Sequence, residues 1–246
     1  MDNDLLNKLV EKTLTSTDHD VGNVPCKDIQ QKLVPLKSSV ELQLLPIWDY
    51  PTNDPEGPTY KKYIAKNSLY KTIYVRQVLA EKINQVTQFI PDHWQLIIRA
   101  GHRPFDVQKS LLDQVAEKYL IDNPEATNEQ ALSHARIYIS DPEQKLPPHT
   151  CGAAIDVDAK DRTSQELIDF GCGVNTQEAI SFWNTNALTQ AQLKNRISLL
   201  KAMIQSGFAP HPNEWWHFSY GDQYWADFYE QPESLFGLIE ATKQDN

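Results

Sequence analysis

The opening apolar pattern, from Leu5 to Leu14, repeats at helical spacing and predicts an amphipathic helix. A polar connection follows, then the apolar run Val40-Glu-Leu-Gln-Leu-Leu45, which predicts one strand, and a proline-rich passage holding Pro46, Pro51, Pro55 and Pro58. From Leu69 the period changes. Val75, Val78, Leu79, Ile83 and Val86 fall on one helical face while Arg76, Glu81, Lys82 and Gln85 take the other, so a core helix is expected here. Pro91 and Asp92 stop it, and Trp94-Gln-Leu-Ile-Ile-Arg-Ala100 reads as a buried strand rich in β-branched residues.

Gly101-His-Arg-Pro104 turns the chain at the end of that strand, a place from which a polar side chain reaches into a cleft. Two helices are expected next, Phe105 to Leu120 and Asn128 to Ile139, divided by the helix-stopping pair Asn123-Pro124. Pro142, Pro147 and Pro148 lead through an extended loop to the short apolar strand Ala153–Val157, which places Ala154, Asp156 and Asp158 on one face. Gln192 to Ser206 predicts another amphipathic helix, with Gly207 closing it. Trp215-Trp-His-Phe-Ser-Tyr220 alternates as a strand, with Trp215, His217 and Ser219 sharing one face; strict alternation then moves Glu214 into the preceding turn. The chain has no internal repeat.

Composition narrows the class. A length of 246 residues with 40% hydrophobic and 23% charged residues suits one soluble globular domain with an extension, here divided as residues 1–60 and 61–246. The net charge of −10 excludes a phosphate-backbone binder, which needs clustered cations, so nucleic acid is not an expected partner and a small molecule or peptide is. No window has the length of a membrane span, and the start of the chain lacks the basic and apolar regions of a secretory signal, so a cytoplasmic home is expected, with a periplasmic one if a leader has been removed. Cys26, Cys151 and Cys172 make neither a paired framework nor a Cys-x-x-Cys motif, and Cys151 is expected to be a packing residue.

The candidate chemistry lies in three blocks. His149 and Asp156 bracket Gly152 ahead of an apolar strand, and Glu214-Trp-Trp-His217 supplies a second histidine with a carboxylate three residues before it. An unpaired carboxylate between Ile155 and Val157 would cost several kcal/mol to bury, a cost that a metal or a buried ion pair removes. Two imidazoles and one carboxylate hold zinc with a fourth position open for water, and Glu214 is then placed to act as base. A non-haem iron oxygenase would instead use His-x-Asp spacing, which this pair does not have.

These blocks, Gly101-His-Arg-Pro104, His149-x6-Asp156 and Glu214-Trp-Trp-His-Phe218, resemble in order and spacing the motif set of the zinc-dependent D-Ala-D-Ala dipeptidases. These are the VanX-like branch of a metallopeptidase family that also contains D,D-carboxypeptidases. The resemblance runs from about residue 70 to 226 and leaves the first 60 residues uncovered. It implies His149, Asp156 and His217 as ligands of one zinc ion, Glu214 as the general base that passes a proton to the leaving amine, and Arg103 as the cation facing the developing oxyanion. It leaves His102 as an outer or packing residue, where the family more often has Tyr; His211 reads as a loop residue and Asp158 as solvated. Two positions depart from the family pattern: Pro147 stands where a Ser is common, and Asn175 aligns with a carboxylate, both positions that help recognise the free amino end of the dipeptide.

The expected architecture is α+β, a small and mainly antiparallel sheet flanked by helices with the zinc site on one sheet face, as in Hedgehog and D,D-peptidase folds. The expected function is zinc-dependent hydrolysis of D-Ala-D-Ala or a similar small D-amino-acid dipeptide. The alternatives are a D,D- or L,D-carboxypeptidase acting on longer peptidoglycan peptides and a non-catalytic zinc-binding module of the same fold.

Overall fold

The computed structural model describes residues 1–45, 72–137, 139–176 and 178–239. The proline-rich passage and the start of the expected helix at Leu69 lie outside them. The chain opens with helix α1 (Asn3–Thr15), capped by the Asp2 carboxylate on the Leu5 N–H, and its Leu6, Leu9 and Val10 are buried. Strands β1 (Leu33–Pro35) and β2 (Leu42–Leu44) follow, the latter inside the predicted apolar run.

Val75 is buried in a strand, not a helix. The segment Tyr74–Arg76 forms β3, antiparallel to β1 with Val34 opposite Val75, and helix α2 begins only at Gln77 and runs to Val86. Pairing with β1 hides Val75 as well as a helical face would, which is why the periodicity alone ran the helix too far back. Strand β4 (Trp94–Ala100) matches its predicted span. Helices α3 (Phe105–Asp122) and α4 (Asn128–Ala135) follow, and α4 opens with a reciprocal capping box between Thr127 and Gln130. Strand β5 (Ala154–Asp161), helix α5 (Gln190–Gln205), strands β6 (Ala209–His211) and β7 (Glu214–Ser219), and the short helix α6 (Gln223–Phe228) complete the order.

The main sheet has the order β2-β4-β5-β7-β6, with β2 parallel to β4 and every other pair antiparallel. It is the mainly antiparallel sheet with helices that the sequence predicts. The period of two sorts its residues. Leu96 and Ile98, Ile155 and Val157, and Trp216 and Phe218 join one buried apolar cluster with Leu79 and Ile83 of α2 and Leu199, Leu200 and Met203 of α5. The alternate positions, Asp156 and Asp158 on β5 and His217 and Ser219 on β7, are polar and also buried. Burying a Leu, Ile or Phe side chain is worth about 1.5–3 kcal/mol, so the apolar face holds the sheet rigid beneath its polar one.

Two buried arginines fasten the loops that flank the polar face. Arg76 donates to the carbonyls of Cys151, Gln31 and Gly237 at 2.7, 2.9 and 2.9 Å, joining the His149 loop to both ends of the chain. Arg196 of α5 donates to Phe170, Ile180 and Phe182 carbonyls at 2.8, 2.8 and 3.1 Å, gathering the segment that follows β5. Among the described residues no helix is long and apolar enough to cross a membrane.

Candidate metal centre

Sheet register brings the first two elements of the site together, because Asp156 on β5 lies directly opposite His217 on β7 and also pairs with Ala100 at the end of β4. His149 comes from the loop before β5. That loop is wound tightly: Cys151, Gly152 and Ala153 donate to the carbonyls of Pro147, His149 and Pro148 at 3.0 Å each. Gly152 sits at φ +66°, and an added Cβ would stand 2.7 Å from Ile239 and 2.9 Å from Leu33, so the turn into β5 requires glycine. At the other side, the carbonyl of Gly101 accepts a hydrogen bond from His149 Nδ1 at 2.8 Å, and a Cβ on Gly101 would meet the Tyr74 carbonyl at 2.5 Å.

The three side chains converge. Nitrogen and carboxylate oxygen atoms of His149, Asp156 and His217 lie within 4.8 Å of one another, and all three residues are buried. His149 Nε2 is 3.3 Å from Asp156 Oδ2, and His217 Nδ1 is 3.1 Å from Asp156 Oδ1. With its Nδ1 proton committed to the Gly101 carbonyl, His149 turns the Nε2 lone pair inward. Two inward-facing imidazoles around one buried carboxylate are the donor set of a divalent transition-metal site, and zinc fits it by ligand type.

The electrostatics match that reading. Burial would raise the Asp156 carboxyl, but the two flanking imidazoles overcome it and hold the group well below the usual carboxylate range. Burial depresses His149 and keeps its imidazole neutral, with Arg103 nearby acting in the same direction. His217 is also penalised by burial, yet the hydrogen bond and charge of Asp156, with Glu214 and Asp222 further off, raise it. The carboxylate is thus presented ionised and His149 is biased toward its neutral form, while a metal would have to compete with the proton that His217 holds more tightly.

Glu214 is the first residue of β7, not a residue of the preceding turn, and its Oε2 lies 3.5 Å from His217 Nδ1. Strict alternation misplaces it because pairing with β6 is irregular: Pro210 faces Phe218, whereas the next residue, His211, faces Glu214 across a tight hairpin. The Glu214 side chain is 37% exposed, at the open side of an otherwise buried group. Arg103 is buried beside His149, its backbone N–H on the His149 carbonyl at 3.1 Å and its Nη1 on Gln108 Oε1 at 2.9 Å. Gln108 in turn donates to the Ser140 carbonyl at 2.8 Å, so α3 fixes the guanidinium from behind.

Several neighbours differ from expectation. Asp158 is buried, not solvated, because it shares Asp156's face and Arg99 on β4 meets it at 2.7 Å. His211 belongs to β6, with its ring 5.4 Å from that of His217 and 4.8 Å from Tyr224; proline neighbours concealed a strand that only two residues of turn separate from β7. His102 is a buried residue behind the site, and burial with Arg76 and His149 nearby pushes its pKa down to about 3. Cys151 is fully buried and its thiol is raised, as a packing residue's should be. Along the same face, Asp158, Phe170, Cys172 and Trp215 line a cavity of about 290 Å³. Gln108 and Asp222 carried no signal in the sequence, since each is recognisable only through the partner the fold gives it.

Fold and site together define a class, an α+β protein with a buried His-Asp-His group of metal-ligand type on one face of its sheet. Residues 60–235 match the family model described as D-Ala-D-Ala dipeptidase, and the chain belongs to that family. A D-alanyl-D-alanine dipeptidase of Synechocystis sp. is 30% identical over 163 residues, which cover 58% of this chain and 66% of that protein. Those of Streptomyces coelicolor and Enterococcus faecalis are 31% and 30% identical over 81 residues, covering 33% of this chain and 40% of each relative. Among solved structures the chain is similar to the vancomycin-resistance D,D-pentapeptidase VanY in complex with Zn(II), with a TM-score of 0.40 and 16% identity, covering 68% of this chain and 84% of that one. It is also similar to the LdcB LD-carboxypeptidase, with a TM-score of 0.42 and 15% identity over 85% of this chain and 80% of that one.

Proposed function

We propose that this chain is a zinc peptidase that hydrolyses the peptide bond of D-Ala-D-Ala or a similar small D-amino-acid dipeptide, with His149, Asp156 and His217 as the metal ligands. The observation that carries this reading is the convergence of three buried ligand atoms within 4.8 Å, with the Glu214 carboxylate on their open side. A bound zinc ion supplies Lewis acidity, lowering the pKa of a coordinated water and polarising the scissile carbonyl.

Glu214 takes the proton of the attacking water and delivers it to the leaving amine; its partial exposure leaves it free to reach both. Arg103, held by Gln108 and by the His149 loop, sets a fixed cation against the oxyanion that forms in the transition state. Asp156 stays ionised throughout, and the Gly101 carbonyl keeps His149 in the tautomer that points Nε2 inward. Pro147 and Asn175, at positions where the family provides a hydroxyl and a carboxylate, support a looser grip on the substrate's amino end, and longer peptidoglycan peptides are the second substrate class for that reason. Residues 1–60 serve as an extension on the peptidase core of residues 61–246, contributing β2 to its sheet edge. Three free cysteines favour the cytoplasm over an oxidising compartment.

The test is release of D-alanine from D-Ala-D-Ala by the zinc-loaded chain, with Glu214→Ala as control. Release that the control lacks supports the reading. No release from folded, zinc-replete protein on either the free dipeptide or amino-blocked and longer peptides refutes it.

A further inference from the structure

The two candidate histidine ligands are supported unequally. His149 has its outer nitrogen on the Gly101 carbonyl at 2.8 Å. His217 directs Nδ1 to Asp156 and Glu214, at 3.1 and 3.5 Å, while its Nε2 is buried with no hydrogen-bond partner. If Nδ1 is the ligand atom, Nε2 must carry the proton, and an unsatisfied buried N–H of that kind is costly to a fold. An acceptor stands near enough for its charge to act on His217. Asp222 is 1% exposed, and its Oδ2 is likewise buried without a partner.

The other carboxylate oxygen shows why Asp222 is there. Its Oδ1 accepts from Ser219 Oγ and from the Trp225 N–H, both at 2.8 Å, the second bond capping α6. Ser219 stands two residues beyond His217 on β7 and so shares its face, one strand repeat of roughly 6.7 Å away. The carboxylate is therefore clamped to the residue that follows His217 on the polar side of the sheet, with one oxygen used for structure and one left over.

We propose that Asp222 is the positioning residue of His217, accepting the Nε2 proton's hydrogen bond through one water and so fixing Nδ1 toward the metal. No direct bond joins the two side chains, and a buried water linking two such groups satisfies both. The inference rests on the ligand assignment made above. An outer carboxylate orients a ligating imidazole and raises its basicity, and losing such a partner typically costs 10- to 100-fold in metal affinity.

Asp222→Asn tests it, because asparagine caps a helix as well as aspartate does while replacing the free oxygen with a donor. Competition with a chromophoric chelator for Zn(II) is expected to show a Kd raised by about 10- to 100-fold. Zinc affinity unchanged within about twofold, against the expected loss, overturns the inference and leaves the metal reading standing. A native chain with no affinity for zinc overturns both. A second measurement needs no variant: nitrogen NMR of the zinc-loaded native chain is expected to place the His217 proton on Nε2. A proton found on Nδ1 in the loaded chain rules the arrangement out.

Discussion

His102 offers the most quantitative test of the buried polar layer behind the site. Burial first, then the charge of Arg76, sets its folded pKa at about 3, against about 6.5 in the unfolded chain. Between those values the unfolded state binds a proton that the folded state refuses, so stability is complete above about pH 6.5 and falls as the solution is acidified through that window toward pH 3. At pH 5 the unfolded imidazole is almost fully protonated and the folded one almost fully neutral. The loss there is about 1.5 pH units at 1.36 kcal/mol each, or about 2 kcal/mol. The perturbation is His102→Gln, which removes the titration while keeping a polar side chain of similar size. Urea unfolding of both chains in the presence of a chelator, at pH 7.5 and pH 5, isolates the effect because His149, His211 and His217 titrate in both. The native chain should lose about 2 kcal/mol more than the variant over that interval. A stability gap between the two chains that stays constant with pH refutes the assignment of His102 as a neutral buried group.

Gln108→Leu removes the bond that holds Arg103 Nη1, and hydrogen bonds to charged groups are worth about 1.5–3 kcal/mol. Steady-state kinetics should show kcat lowered at least about tenfold with zinc content unchanged, and an unaltered kcat would separate Arg103 from catalysis. Gly152→Ala forces a Cβ against Ile239 and Leu33 at a φ of +66°, and denaturant unfolding should register about 1–3 kcal/mol of lost stability. Zinc should raise the melting temperature more at pH 8 than at pH 6. The raised pKa of His217 means that its proton, whose contribution to stability is fully present in acid and lost as pH rises through that pKa, competes with the metal at low pH. A zinc-induced shift that is constant between those pH values would contradict that competition.

What could be read from the sequence was what depends on local pattern. Strand β4 was legible to the residue because a run that is apolar but for Gln95 and Arg99 starts after Pro91 and ends at Gly101, and the site residues were legible because three short blocks carry rare combinations of His, Asp, Glu and Arg in a fixed order. The errors share a cause. Val75, Glu214, His211 and Asp158 each owe their position to a neighbouring strand: β1 for the first, the irregular hairpin of β6 and β7 for the next two, and Arg99 of β4 for the last. None of those partners is near enough in the periodic pattern to announce itself. The same limit explains why Gln108 and Asp222 went unseen, since a glutamine early in a helix and an aspartate before one look like ordinary surface and cap residues.

That division bears on how the site works. The residues proposed to touch metal or substrate sit on strands β5 and β7 and on loops, whereas the groups that aim them come from elsewhere: Gly101 behind His149, Gln108 behind Arg103 and, in the arrangement proposed above, Asp222 behind His217. A metal site displaced by even part of an ångström loses both affinity and the alignment of its base, so each aiming group matters to chemistry it never contacts. Arg76 extends this dependence to the ends of the chain, because the carbonyl it holds at Cys151 lies within the His149 loop while its other bonds reach Gln31 and Gly237. Arg76→Met would retain the packing on Phe236 and remove all of those bonds at once. If the extension serves the site through this residue, that variant loses zinc affinity as well as stability; if it only stabilises the fold, affinity measured below the melting transition stays at the native value.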